Sequence, residues 1–170
     1  MNLKKNLVFL GMMGSGKSSI GYLVSKALNI KFKDIDKLIE NDTGKSISNI
    51  FKEKGEAYFR SLEEKITIKT LKTINGVISL GGGGFINAKV RKEIIDNHLS
   101  FWLNWDDSTL LKRIKNSKKR PLAFQSTEAE IKKLIKDRSK IYSKAQFKIN
   151  CHKYTKTEII KKIIKIYELN

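Results

Sequence analysis

Residues 11–18 read Gly-Met-Met-Gly-Ser-Gly-Lys-Ser. The apolar run Asn6–Leu10 precedes them, and a helical stripe of Ile20, Leu23, Val24 and Leu28 follows. A G-x-x-x-x-G-K-[ST] pattern between a short buried strand and a helix leaves the chain few paths to take. The glycines let the backbone turn tightly with several N–H groups facing inward, and the helix brings the positive end of its dipole to the same point. Such a loop is built to hold a small anion, and a nucleotide's phosphate chain fits it. Lys17 can reach β- and γ-phosphates, and the Ser18 hydroxyl can ligate Mg²⁺. The loop therefore predicts a nucleotide-binding α/β domain, with Gly14, Ser15, Gly16, Lys17, Ser18 and Ser19 around the phosphates. A glycine-rich turn with no ligand would leave the Lys-Ser pair unexplained.

The rest of the chain alternates apolar runs with helical patterns, as a parallel sheet wrapped by helices does. Strands are expected at Asn6–Leu10, Ile30–Ile35, Gly76–Leu80, Leu99–Leu103 and Phe147–Asn150. Helices are expected at Lys17–Leu28, Ser46–Lys54, Glu56–Thr73, Ala88–Asn97, Ser108–Asn116, Thr127–Tyr142 and Thr155–Tyr167. The last two open on Thr127-x-x-Glu130 and Thr155-x-x-Glu158, the spacing of a capping box. There is no internal repeat, linker or break in composition. The expected fold is one doubly wound α/β domain over residues 1–170, a P-loop NTPase-type domain with a five-stranded parallel sheet flanked by helices. The stretch 117–126 has no periodicity and holds the one proline, Pro121, so a mobile lid is expected over about 113–126.

The formal net charge is +18, which raises a nucleic-acid interface as a possibility. Thirty of the 35 basic residues are lysines, however, and they are spread along the whole chain with no stripe of interleaved aromatics. A background preference for lysine on solvated faces accounts for most of that charge, and no specific nucleic-acid partner is expected. Against that background the five arginines, Arg60, Arg91, Arg113, Arg120 and Arg138, mark positions needing a planar bidentate fork. No apolar run approaches the ~18 residues that would span a membrane. About five apolar residues before the first glycine are too few for a secretory signal core. Cys151 is the single cysteine, so no intrachain disulfide forms and a reduced, cytoplasmic setting is expected.

Asp34-Ile35-Asp36 closes the second expected strand. Ligands of α/β sheets sit beyond strand carboxyl ends, so this pair should face the phosphate loop. Read as strand residues, Asp34 and Asp36 point the same way and Ile35 packs inward. One carboxylate could steady a metal's water shell, and the other could orient or deprotonate an attacking hydroxyl. Alternatively, Asp36 caps a following helix and Asp34 is simply exposed. Three further groups stand out: Glu56-Ala-Tyr-Phe-Arg60-Ser-Leu-Glu63, the run Gly81–Gly84 after the third strand, and Arg138-x-x-x-Tyr142. Arg60 and Glu63 could be no more than a surface i,i+3 pair. Trp102, Trp105 and most other aromatics read as packing residues. His98, His152 and Cys151 have no partners at catalytic spacing.

Taken together, the phosphate loop, the D-x-D, the E-x-x-F-R-x-x-E, the glycine run, Arg120-Pro121-Leu122 and the R-x-x-x-Y resemble the shikimate kinases from about Asn6 to the end of the chain. The resemblance implies ATP-dependent phosphorylation of the 3-hydroxyl of shikimate, with Mg²⁺, on the way to aromatic amino acids. It implies that Asp36 binds the substrate hydroxyls and acts as base, and that Asp34 holds Mg²⁺ through water beside Ser18. Arg60 and Arg138 would clamp the substrate carboxylate, Phe59 would wall the pocket, and Gly81, Gly82 and Gly83 would line it, Gly82 through its N–H. Lys17 and Arg120 would act on the phosphates, Arg120 from the lid, and Arg113 would lie near the adenine. Substrate-binding helices would fall at about 37–65, and the chain would work as a monomer. Ile149–Tyr154 departs from the family by lacking a threonine in the adenine-side turn, and Gly84 stands where a small residue such as alanine is usual. Within the same architecture a gluconate kinase is the nearest alternative, with nucleoside-monophosphate kinases behind it. A nucleic-acid module or an inactive nucleotide-binding regulator are the readings from other classes.

Overall fold

Strand β1, Leu7–Leu10, has all four side chains buried, because both faces of the strand meet apolar layers. Val8 and Leu10 point into one core layer and Leu7 and Phe9 into the other, the period-2 alternation of a central strand. The computed structural model describes residues 5–115 and 126–170. Around β1 lie β2 (Lys31–Asp34), β3 (Gly76–Ser79), β4 (Leu99–Asn104) and β5 (Phe147–Asn150). They form one parallel sheet in the order β2-β3-β1-β4-β5. The order reverses at β1: the chain runs out through β2 and β3 on one side, then crosses to β4 and β5 on the other. A crevice opens at the strand carboxyl ends at such a point, and the phosphate loop leaves β1 there.

One face of the sheet is covered by α1 (Lys17–Leu28) and α7 (Lys156–Glu168), through Ile20, Val24, Ile159 and Ile163. The other carries α2 (Ile35–Thr43), α3 (Ile47–Thr73), α4 (Ala88–Asn97), α5 (Asp107–Lys115) and α6 (Glu128–Tyr142). Both expected capping boxes are formed: Thr127 with Glu130 at the start of α6, and Thr155 with Glu158 at the start of α7. Helix α3 spans the two expected helices but is interrupted at Gly55, whose φ of 80° and ψ of 173° lie outside the helical region. At the amino-terminal edge of the sheet, the Asn6 side chain accepts from Gly76 N–H and donates to the Leu71 carbonyl, tying β1 to the entry of β3 and the end of α3.

One local expectation is corrected. Asp34 and Asp36 do not alternate along a strand. Asp34 ends β2 and is at once the N-cap of α2, its carboxylate accepting the Lys37 N–H at 3.2 Å. Asp36 already lies in the first helical turn. Helix α2 itself is absent from the strand-and-helix reading, because it starts without an intervening turn. Ile35 is fully buried, as expected.

Candidate active site

The phosphate loop is shaped by three glycines with positive φ: Gly11, Gly14 and Gly16. Gly16, at φ 85° and ψ 16°, is the N-cap of α1 and turns the chain into the helix in a conformation that a side chain would strain. Lys17 is only 7% exposed, and its ammonium donates to the Gly11 and Met12 carbonyls at 3.0 and 2.9 Å, folding the side chain back across the loop. The Ser15 hydroxyl is buried and has no hydrogen-bond partner among the described residues. The Ser18 hydroxyl donates to Asp34 Oδ2 at 2.5 Å, so the D-x-D does reach the loop, through its first member. Ser19 is exposed and shares a neighbouring surface cavity with Ser18 and Asp34.

Beside the loop lies a cavity of about 490 Å³ whose wall includes Met13, Asp36, Phe59, Arg60, Gly82, Gly83 and Arg138. Six of the residues expected to bind substrate or act on it therefore come from four separate elements to one space, together with a residue of the phosphate loop. Gly81 is buried just behind: a Cβ built on it would stand 2.6 Å from both Asp36 Oδ1 and Glu63 Oε1. Two carboxylates converge over Gly81, and a side chain there would have to displace both. Phe59 is buried with its ring 4.6 Å from that of Phe51, and together they form the apolar wall.

Arg60 is held by acids on its own helix. Its Nε and Nη2 donate to Glu56 at 3.2 Å, and Nη1 donates to Glu63 at 2.7 Å. Burial works against the charge, but the Glu63 and Glu56 carboxylates outweigh it and hold the guanidinium pKa above its ordinary value. The Arg60–Glu63 pair is thus real, and it coexists with a place in the cavity wall. Arg138 approaches from α6 and donates to the Gly82 carbonyl at 3.4 Å. The same carbonyl accepts the Tyr142 hydroxyl at 2.5 Å. Burial pushes the Tyr142 phenol up to about 12 while Arg138 beside it pulls the other way, so the group remains a donor. The fifth arginine, Arg91, donates to the Phe85 and Ile86 carbonyls and fixes the 3₁₀ turn Gly84–Ile86 after the glycine run.

On the far side of the loop, the Arg113 guanidinium lies over the Trp105 ring, 3.8 Å from its centroid, and donates to the Gly14 carbonyl at 3.2 Å. Trp105, read from sequence as packing, also donates its indole N–H to the Ser15 carbonyl at 2.9 Å. Arg120 and most of the expected lid lie outside the described residues. Sequence reasoning also missed Glu40, Ser46, Ile47, Ser48 and Phe51 in the cavity wall. They sit where α2 meets α3, and Glu40 accepts the Ile47 N–H at 3.1 Å. Glu63 was visible as the last residue of E-x-x-F-R-x-x-E, but its convergence with Asp36 is tertiary.

Among the described residues no group of three or more His, Cys, Asp or Glu side chains could hold a metal ion by itself. The Ser18–Asp34 pair nevertheless fits Mg²⁺, which keeps several waters and is bound through one or two carboxylates together with substrate phosphates.

Residues 13–168 match the family model described as shikimate kinase. The shikimate kinase of Sulfurihydrogenibium sp. is 41% identical over 160 residues, covering 94% of this chain and 96% of the relative. The crystal structure of shikimate kinase from Aquifex aeolicus superposes with a TM-score of 0.85 at 37% identity, covering 96% of each chain. The structure of the Acinetobacter baumannii shikimate kinase in complex with shikimate gives 0.90 at 28% identity, covering 98% of this chain and 94% of the other. The likeness runs through the loop, the glycine run and both helices that carry the cavity arginines, and on that extent of agreement the chain belongs to the shikimate kinase family.

Proposed function

We propose that this chain transfers the γ-phosphoryl group of ATP to the 3-hydroxyl of shikimate, giving shikimate 3-phosphate for aromatic amino acid synthesis. One observation carries the reading: Met13 of the phosphate loop lines the same cavity as Asp36, Arg60 and Arg138. A donor site and an acceptor site with a carboxylate-binding arginine pair therefore share a wall. Phosphoryl transfer needs that proximity more than it needs covalent chemistry. The Acinetobacter relative was solved with shikimate, which fits a cavity of this size and charge.

Arg60 and Arg138 bind the shikimate carboxylate at one end of the cavity, each able to offer two parallel N–H donors. Phe59 and Phe51 pack on the ring and exclude water. The N–H groups of the Gly81–Gly83 run meet the ring edge, where no side chain intervenes. Asp36 accepts hydrogen bonds from the ring hydroxyls and receives the proton of the attacking 3-hydroxyl. On the donor side, loop N–H groups from Gly14 to Ser19 cradle the phosphates. Lys17 leaves the Gly11 and Met12 carbonyls to meet the β- and γ-phosphates. Mg²⁺, held by Ser18 directly and by Asp34 through water, would neutralise charge on the phosphate oxygens. Arg113 lies beside the adenine, and Arg120 completes the phosphate site from a lid over about 113–126.

Gluconate also carries a carboxylate and hydroxyls, but the family model that the chain matches is that of the shikimate kinases. No helix among the described residues is long and apolar enough to cross a membrane. We place the enzyme in the cytoplasm as a monomer with no specific nucleic-acid partner, its kinase domain spanning residues 1–170 and its substrate-binding helices about 37–65. The deciding assay couples ADP release to a spectrophotometric readout with Mg-ATP and shikimate, gluconate, AMP or no acceptor. Turnover with shikimate alone is expected. Turnover with gluconate or AMP instead would overturn the acceptor, and ATP binding without turnover on any acceptor would overturn the catalytic reading.

A further inference from the structure

Trp105 stands between the end of β4 and the start of α5, and its neighbours leave it little freedom. Its ring packs against both core layers. Its indole N–H donates to the Ser15 carbonyl at 2.9 Å, so the ring is pinned to the phosphate loop from outside. The next residue, Asp106, accepts the Thr109 N–H at 2.8 Å and starts α5, which fixes where that helix leaves the sheet. Two turns along α5, Arg113 folds back over the indole, 3.8 Å from the ring centroid, while its Nη1 donates to the Gly14 carbonyl at 3.2 Å. Arg113 is exposed, and a flexible exposed arginine ordinarily samples many rotamers. Here the aromatic face and the loop carbonyl select one.

We infer that Trp105 is a positioning residue of the nucleotide site, its indole face serving as the platform that holds the Arg113 guanidinium where the purine base stacks on it. The inference rests on the nucleotide reading of the phosphate loop. A guanidinium is planar, and it stacks on aromatic faces by cation–π attraction and by dispersion. With one side against the indole, it presents the other to a second ring. The base then binds to a surface already ordered, and less rotamer entropy is lost on binding. Trp105 touches the nucleotide only through Arg113 and through the Ser15 carbonyl, and these two routes predict different ligand dependence. The stack acts on the base; the indole N–H bond to the loop acts on the phosphates.

The test is calorimetric binding of ATP and of inorganic tripolyphosphate, which has the phosphates but no base, to the full chain. The wild-type chain should bind ATP more tightly than tripolyphosphate. Trp105→Leu should weaken ATP about five- to tenfold more than tripolyphosphate, the size of a partly desolvated cation–π contact, any loss common to both ligands being that of the indole N–H bond to the loop. Trp105→Phe, which keeps an aromatic face but no N–H, should retain most of the ATP preference. Arg113→Leu alters an exposed side chain and so avoids a folding artefact; it should lose the same preference, and adding Trp105→Phe to it should cost no further preference for ATP over tripolyphosphate. Equal weakening of both ligands by Trp105→Leu would reduce the indole to a support of the loop and overturn the proposal. So would unchanged ATP binding in either leucine variant. A wild-type chain that binds neither ligand would overturn the nucleotide reading itself, a different failure from that of Trp105.

Discussion

A methyl group at Gly83 would stand 2.7 Å from Arg60 Cζ. The obstacle is the end of a flexible side chain, so Gly83→Ala should leave the fold intact and instead push the guanidinium off its place in the cavity. The expected result is a shikimate KM raised about tenfold or more, the loss of one charge-assisted hydrogen bond, with the ATP KM and the thermal midpoint little changed. Steady-state kinetics in each substrate, with a thermal melt beside them, decide it; a fall in the melt with both KM values moving together would mean a packing role. Tyr142 makes the complementary case. Its hydroxyl holds the Gly82 carbonyl at 2.5 Å from 60 residues away in sequence, and Arg138 reaches that same oxygen only at 3.4 Å. Tyr142→Phe should cost about 1 kcal/mol of stability and raise the shikimate KM several-fold, because the glycine run and the α6 arginine lose their shared anchor. Denaturant unfolding read alongside the kinetics separates the two effects, and an unchanged KM would confine Tyr142 to the core.

At the scale of elements, local signals were the ones the sequence carried. The capping boxes of α6 and α7 are i,i+3 relations among a few residues, and they form as read. Thr127→Ala should therefore cost about 1 kcal/mol and lower Tm by roughly 2–4 °C. It should leave the shikimate KM unchanged, since Arg138 lies three turns further along α6. A KM that moves with Tm would show that the register of the whole helix depends on its cap. The strand-and-helix pattern misses helix α2 for the opposite reason, although the family resemblance implies substrate-binding helices from about residue 37. Asp34 closes β2 and caps α2 at once, so no glycine, proline or polar turn separates the two periods. The D-x-D was rightly placed near the loop but for the wrong geometry, with one carboxylate at a helix cap and the other a residue into the helix. The cavity wall contributed by Glu40, Ser46, Ile47, Ser48 and Phe51 follows from how α2 packs on α3, which no local pattern encodes. Arg60, Phe59, Gly82, Gly83 and Arg138 were legible because each belongs to a spaced motif, whereas Trp105 is an isolated aromatic whose contacts are all made across the fold.

Two whole-molecule properties follow from where the titratable groups and charges sit. His98 is buried at the edge of the sheet opposite the site, where its Nδ1 faces the Asn6 N–H at 3.3 Å and its Nε2 lies 3.9 Å from Glu93. Burial lowers its pKa, Lys5 acts in the same direction, and Glu93 only partly opposes them. The unfolded chain thus takes up a proton at the ordinary histidine pKa that the folded chain refuses. Stability should be flat above about pH 7 and fall as the pH drops below about 6.5, towards the lowered folded pKa. Urea midpoints at about pH 7.5 and 5.5 would show it, and the difference should shrink in His98→Gln. The charge itself has a simpler geometry. Among the described residues Lys17 is the one buried lysine and Lys33 the one half-buried; the others are exposed and distributed over the surface. A net +18 in that arrangement makes a broad positive field rather than a docking stripe. Both proposed substrates are anions, so the field should speed their encounter at low salt and be screened within about 8 Å at physiological ionic strength. The KM values for ATP and shikimate should then rise together as salt is raised from about 10 to 150 mM, with kcat held nearly constant because contacts inside the site are shielded from the ions. The ATP KM should rise more steeply, since its charge is larger. Flat KM values over that range would mean the lysines serve solubility alone, and a kcat that falls with them would place the salt effect inside the site rather than on the approach to it.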